Sequence, residues 1–110
     1  MLGSSFVSHP PRCEVQVEVT QKAHPVACGV ERFTARDEHY VIEMNAPDAD
    51  VFLESTSEKG GRQPAGYTRT LDAGRLCVLT PGHTLAVWTN PQFQRLLLNA
   101  MAWCMKEEQA

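Results

Sequence analysis

Arg75-Leu76-Cys77-Val78-Leu79-Thr80-Pro81-Gly82-His83, followed after a short polar crossing by Asn90-Pro91-Gln92-Phe93-Gln94-Arg95-Leu96-Leu97-Leu98-Asn99-Ala100-Met101-Ala102-Trp103, is the stretch that decides the fold. Leu76 to Leu79 is a short apolar run bounded by Gly74 and Pro81, the pattern of a central strand buried on both faces. Asn90 offers a side-chain oxygen to the first free amides of a helix, and Pro91 at the first helical position loses no hydrogen bond. From there Phe93, Leu96, Leu97, Ala100, Trp103 and Cys104 recur at three- and four-residue steps and make one apolar stripe. Leu98, Met101 and Met105 make a second, so the helix is expected to be covered twice, by this chain or by another. His83 lies just past the C-terminal end of the strand, where open α/β sheets keep their ligands. It is the first candidate for function; the alternative is a histidine that only caps its loop.

Upstream, Cys13, Val15, Val17 and Val19 alternate with Glu14, Gln16 and Glu18, which predicts a strand with one wet face, antiparallel or at an edge. The opening ten residues of the chain, broken at His9-Pro10-Pro11, read as a loop. His24-Pro25 through Cys28-Gly29 reads as a turn with about one helical turn, anchored by Phe33. Arg36, Asp37, Glu38 and His39 lead into a strand with Tyr40, Ile42 and Met44 on one face; such a charge run is commonly a solvated surface. Val51 to Ser55 and Tyr67 to Leu71 are further short strands, Glu58 to Pro64 is a loop, and Asp72-Ala73-Gly74 is a hairpin turn into Leu76. The result is four or five short strands and one long C-terminal helix, an α+β fold or a piece of a larger α/β sheet.

The 110 residues make a single domain, 1–110, and 43% apolar with 21% charged residues fits a globular protein. A net charge of -3 with scattered Lys and Arg gives no basic surface for nucleic acid. No apolar run approaches the roughly 20 residues that span a bilayer, and Met1 to Val7 lacks the pattern of a signal peptide, so a cytoplasmic location is expected. Cys13, Cys28, Cys77 and Cys104 show neither zinc nor disulfide spacing and read as small buried hydrophobes.

A family resemblance rests on Gly3-Ser4-Ser5-Phe6-Val7-Ser8-His9-Pro10, His24-Pro25-Val26, Asp37-Glu38-His39-Tyr40, Pro64-Ala65-Gly66-Tyr67-Thr68-Arg69, Gly74 to His83, Asn90-Pro91 and Leu96 to Ala100. In this order they resemble the second half of a ThuA-like (trehalose utilisation) domain, of the class I glutamine amidotransferase-like superfamily. The resemblance implies a truncated flavodoxin-like sheet that begins after the turn carrying the amidotransferase nucleophile, so none of the four cysteines inherits that role. It carries over His9, Asp37, Glu38, Tyr40 and Arg69 as substrate-binding positions and His83 as positional analogue of a general base. Carboxylates accept from hydroxyls, Arg69 donates in a fixed fork, and Tyr40 and Trp88 offer ring faces, a set suited to a polyol. In the plainer reading Arg69 braces two strands by pairing with Asp37 or Glu38. No cofactor is expected, although His9, Asp37, Glu38 and His83 also have the ligand chemistry for a divalent metal.

The function expected is that of a half-domain related to carbohydrate binding or metabolism, with a remnant polyol pocket and without a complete catalytic apparatus, hence not an enzyme as an isolated monomer. Homodimerisation through Leu98, Met101 and Met105 is expected. The alternatives are a non-catalytic module that completes a separately encoded first half, and an enzyme acting on sugars through a site shared across a homodimer.

Overall fold

A computed structural model of the chain describes residues 2–107; Met1 and residues 108–110 of the expected domain lie outside the described residues. Seven strands, β1 (Ser4–Ser8), β2 (Cys13–Val19), β3 (Phe33–Asp37), β4 (Val41–Met44), β5 (Asp50–Ser57), β6 (Gly61–Leu71) and β7 (Gly74–Leu79), are followed by a four-residue helix α1 (Leu85–Trp88) and the long helix α2 (Pro91–Cys104). Five strands form an antiparallel sheet in the order β3-β2-β5-β6-β7, and β1 pairs antiparallel with β4 in a separate ribbon. The α+β alternative is therefore the local description of this mixed fold. Among the described residues no helix is long and apolar enough to cross a membrane.

The alternation in β2 does what its period requires: Val15 and Val17 are buried while Glu14 is exposed. β2 is antiparallel but internal, with β3 as the edge. The expected central strand is corrected in the opposite direction, since β7 is an edge strand and Leu76 to Leu79 are half-buried. One face of β7, through Cys77 and Leu79, packs on the core, and its ladder partner is β6 alone. The expected loop from Glu58 to Pro64 is also corrected, because β6 starts at Gly61 and continues the hairpin with β5. The opening residues, expected as a loop, form β1. Tyr67, fully buried, donates its hydroxyl to Leu2 O at 3.0 Å and accepts from Ser4 Oγ at 2.6 Å, which fastens β1 beside β6.

Phe52 and Leu53 are consecutive yet both fully buried in one core, although successive residues of a regular strand point to opposite faces. The β5–β6 register shifts on both sides of Leu53, and such bulges re-aim neighbouring side chains. Gly66 lies opposite because a Cβ there would sit 2.9 Å from Leu53 Cβ. The core gathers Val15, Val17, Phe33, Phe52, Leu53 and Ala65 from the sheet with Val87, Phe93, Leu96 and Ala100 from the helices. Asn90 Oδ1 caps α2 by accepting from Gln92 N at 2.9 Å. Buried Asn99 donates to Val26 O and Cys28 O at 3.0 and 2.7 Å, tying the 3-10 turn Pro25–Ala27 to α2. Leu98, Met101 and Met105 are exposed. All four cysteines are free and half-buried rather than buried.

Two buried histidines make the fold pH-sensitive. His24 stacks on Phe52 at 4.5 Å, accepts from Val26 N on Nδ1 and, with that nitrogen unprotonated, donates from Nε2 to Thr68 Oγ1 at 2.9 Å. His39 lies between Ser57 Oγ, 2.5 Å from Nδ1, and Ser55 Oγ, 2.9 Å from Nε2. Burial pushes both imidazoles below the usual 6.5, against smaller opposing pulls from Asp50 on His24 and from Ser55 and Asp37 on His39. The unfolded chain binds protons at these positions before the folded one does, so the stability they confer is full above pH 6.5 and is lost as pH falls through the lowered values. The urea midpoint is expected to be lower at pH 5 than at pH 7.5; an unchanged or higher midpoint at pH 5 would contradict this assignment.

Candidate functional site

The site is assembled where β3 ends. Asp37 is 2% exposed, and its carboxylate accepts three backbone amides: Gly82 N on Oδ2 at 3.0 Å, and His83 N and Thr84 N on Oδ1 at 3.0 and 3.2 Å. Thr84 Oγ1 donates to Arg36 O at 2.5 Å, so the loop after β7 is strapped to the end of β3. Gly82 has φ +126, a conformation that favours glycine, and Trp88 Nε1 donates to its carbonyl at 2.7 Å. Trp88 in turn packs edge-on against Phe93 of α2, with centroids 5.1 Å apart. The helix thus holds the loop that presents His83.

Beyond Asp37 the side chains part. His39 is buried, whereas Glu38 and Tyr40 face a cluster centred on the Glu38 carboxylate. Glu38 Oε1 accepts from the Tyr40 hydroxyl at 2.9 Å and lies 3.7 Å from His9 Nε2; Oε2 lies 3.1 Å from His83 Nε2. Burial, reinforced by the hydrogen bond to Glu38 and the charges of Glu38 and Asp37, raises the Tyr40 phenol above its usual 10, so it remains a donor to the carboxylate. His9 Nδ1 lies 2.7 Å from Pro10 O. A carbonyl only accepts, so Nδ1 carries a proton, and the Nε2 edge of the ring is turned toward Glu38. The side chains of His9 and His83 are 36% and 37% exposed against 17% for Glu38, so the carboxylate is sheltered and the imidazoles face solvent. Phe6, 61% exposed, meets Tyr40 edge-on at 5.6 Å, and His9 does so at 5.7 Å.

Of the six residues singled out from sequence, His9, Glu38, Tyr40 and His83 therefore meet around one carboxylate. Asp37 lies beneath them with its oxygens engaged by the loop backbone, and it acts on the cluster by placing His83. Arg69 is on β6, where its Nε donates to Asp48 Oδ1 at 3.1 Å, so its ion-pair partner is neither Asp37 nor Glu38. Trp88 serves the Gly82 carbonyl and the Phe93 ring. Sequence reasoning missed Arg12, whose Nη2 is 3.0 Å from His83 Nε2; a single arginine after Pro10-Pro11 gave no signal. Among the described residues no three His, Cys, Asp or Glu side chains are grouped to hold a metal ion. Asp37, one of the four donors expected for a metal, is taken by amides.

The ThuA family model, described as trehalose utilisation, matches residues 1–104. The chain belongs to the ThuA family. That family lies in the glutamine amidotransferase-like superfamily. Two solved ThuA-like proteins share the fold of this ThuA chain. One, from Bacteroides uniformis, superposes with a TM-score of 0.75 at 24% identity over 98% of this chain and 50% of its own. The other, from Parabacteroides merdae, gives 0.69 at 23% identity over 98% of this chain and 43% of its own. The ThuA chain thus spans about half the length of these solved relatives. No curated protein sequence shows significant similarity to it.

Proposed function

We propose that this ThuA-family chain binds a polyhydroxylated ligand of carbohydrate type at the Glu38 cluster, as a half-domain with a remnant polyol pocket and no complete catalytic apparatus of its own. The observation that carries the reading is the meeting of His9, Tyr40 and His83 around the sheltered Glu38 carboxylate, with His9 Nε2 left 3.7 Å from Oε1, beyond direct hydrogen-bond distance. A ligand hydroxyl placed between them donates its hydrogen to the carboxylate and offers its own oxygen to the ring edge, so it bridges a gap that the two side chains do not close themselves. The family's description as trehalose utilisation supports a sugar as the source of that hydroxyl. When Nε2–H of His83 donates to Glu38, the ring's lone pair is on Nδ1, and Nδ1 is then the atom that takes a proton if His83 serves as general base.

Calorimetric titration with glucose and trehalose tests the reading. Glu38→Gln keeps the shape and removes the charge, and affinity is expected to fall about tenfold, the value of a charge-assisted hydrogen bond. Asp48→Asn, paired with Arg69, serves as the control and should leave affinity unchanged. Absence of binding by the unaltered chain would overturn the proposal.

A second reading, compatible with the first, is supported by the surface of α2. Cys77, Leu79, Leu97, Ala100, Met101 and Cys104 line an apolar groove of about 310 Å3 between β7 and α2, and Leu98, Met101 and Met105 stand exposed beside it. Burial there lifts the Cys77 thiol to about 12, with a smaller push from Cys104, which keeps it protonated and unreactive. In this reading the face associates with a second copy of the chain, or with a separately encoded ThuA-like first half. Leu98→Asp with Met101→Asp is expected to convert a dimer to monomer in light scattering; an unchanged mass would exclude this face.

A further inference from the structure

The environment of Arg12 poses a hydrogen-bonding conflict. Its Nη2 lies 3.0 Å from His83 Nε2, and His83 Nε2 itself lies 3.1 Å from Glu38 Oε2. A guanidinium only donates and a carboxylate only accepts. If Nε2 carries a proton it serves Glu38 and opposes the Arg12 N–H. If it does not, it accepts from Arg12 and turns a lone pair on Glu38. One of the two contacts is therefore unfavourable in either state. Glu38 is otherwise well supplied, by the Tyr40 hydroxyl at 2.9 Å. Arg12 is not: among the described residues it meets no carboxylate within ion-pair distance, and its side chain is exposed at the mouth of the cluster.

We propose that Arg12 is a ligand-binding residue and that the sugar taken at the Glu38 cluster carries an oxyanion, a carboxylate or a phosphate. An oxyanion removes the conflict. The planar fork of Arg12 turns to it and donates two parallel N–H bonds, which is the geometry for which guanidinium is suited. His83 Nε2–H is then left to Glu38 alone. The imidazole and the guanidinium separate the ligand's charge from that of Glu38, so the anion is held beside a carboxylate without facing it. Pro10 and Pro11, with their fixed φ, anchor the start of the arginine's segment while the exposed guanidinium is free to turn.

This inference rests on the polyol reading of the site, and the test separates the two. The unaltered chain is titrated calorimetrically at one ionic strength with glucose, glucuronate and glucose 6-phosphate, and the titrations are repeated with Arg12→Gln. At least one anionic sugar is expected to bind about tenfold more tightly than glucose, and Arg12→Gln to remove that advantage while leaving glucose unchanged. Preference for glucuronate identifies the oxyanion as a carboxylate, and preference for glucose 6-phosphate as a phosphate. If glucose binds as tightly as both anions, or if Arg12→Gln weakens all three equally, the inference is overturned while the polyol reading stands. If none of the three binds, both fall.

Discussion

Replacing Asp37 with alanine is expected to lower the unfolding free energy by about 3 kcal/mol, with the loss of ligand binding as a second effect. The carboxylate is 2% exposed and receives the amides of Gly82, His83 and Thr84. Alanine leaves three donors without an acceptor beside a core that admits little water, and a hydrogen bond to a charged group is worth about 1.5 to 3 kcal/mol. Not all of this is lost, because the loop is near the surface and its amides can reach solvent by moving. That movement is what removes His83 from Glu38. Asp37→Asn is expected to be milder in stability, since one oxygen still accepts, but to disturb the same loop because an NH2 group now faces an amide donor. Urea unfolding checks the first effect. A change of less than about 0.5 kcal/mol, the range of ordinary surface substitutions, would mean that the three bonds do not hold the loop.

The second large effect is expected from Phe93→Ala, a loss of about 3 to 5 kcal/mol. Phe93 is 2% exposed, part of the central core and the first inward residue of α2. Its ring also supports the edge-on contact with Trp88, and a Cβ added at Gly82 would lie 3.4 Å from Phe93 Cζ. Truncation therefore opens a cavity under the loop that presents His83, in addition to the lost burial. Phe93→Leu, which refills most of the volume, is expected to recover more than half of the loss. Equal effects of the two substitutions in thermal or urea unfolding would show that the ring's packing, rather than the volume it fills, is what matters.

The helix α2 was legible because its signals are local: Asn90 and Pro91 define its start, and Phe93, Leu96 and Ala100 keep the period of a buried stripe. β2 was legible for the same reason. β1 was not, because Phe6 and Val7 are adjacent and both exposed, so Ser4–Ser8 shows no alternation; the strand is held by pairing with β4 and by Tyr67, 63 residues after Ser4. The sheet position of β7 is hidden for a different reason. A run such as Leu76 to Leu79 is produced equally by a strand covered on two faces and by an edge strand under a helix. Gly60, Gly61 and Pro64 signal a loop, yet Pro64 pairs with Glu54 next to the bulge, where a missing amide donor is tolerated.

In the candidate site, the residue types were legible and their spatial partners were not. Asp37 and Glu38 are neighbours with the same chemistry, and only the end of β3 decides that one is buried under backbone amides while the other faces His9, Tyr40 and His83. Arg69 shares its type with the expected polyol donor, but strand β6 places it beside Asp48. Arg12 takes the position at the cluster, and nothing in its neighbours along the chain marks it.

The most direct test of the central claim uses the four histidines of the chain as internal probes. His9 and His83 are in the cluster, whereas His24 and His39 are buried against Thr68 and between Ser55 and Ser57. Imidazole resonances would be followed by nuclear magnetic resonance while glucose, trehalose, glucuronate and glucose 6-phosphate are added in turn. A saturable shift of His9 and His83, with His24 and His39 unmoved, is the predicted result. Four unmoved resonances with every sugar, or equal shifts of all four, would contradict a carbohydrate site at Glu38.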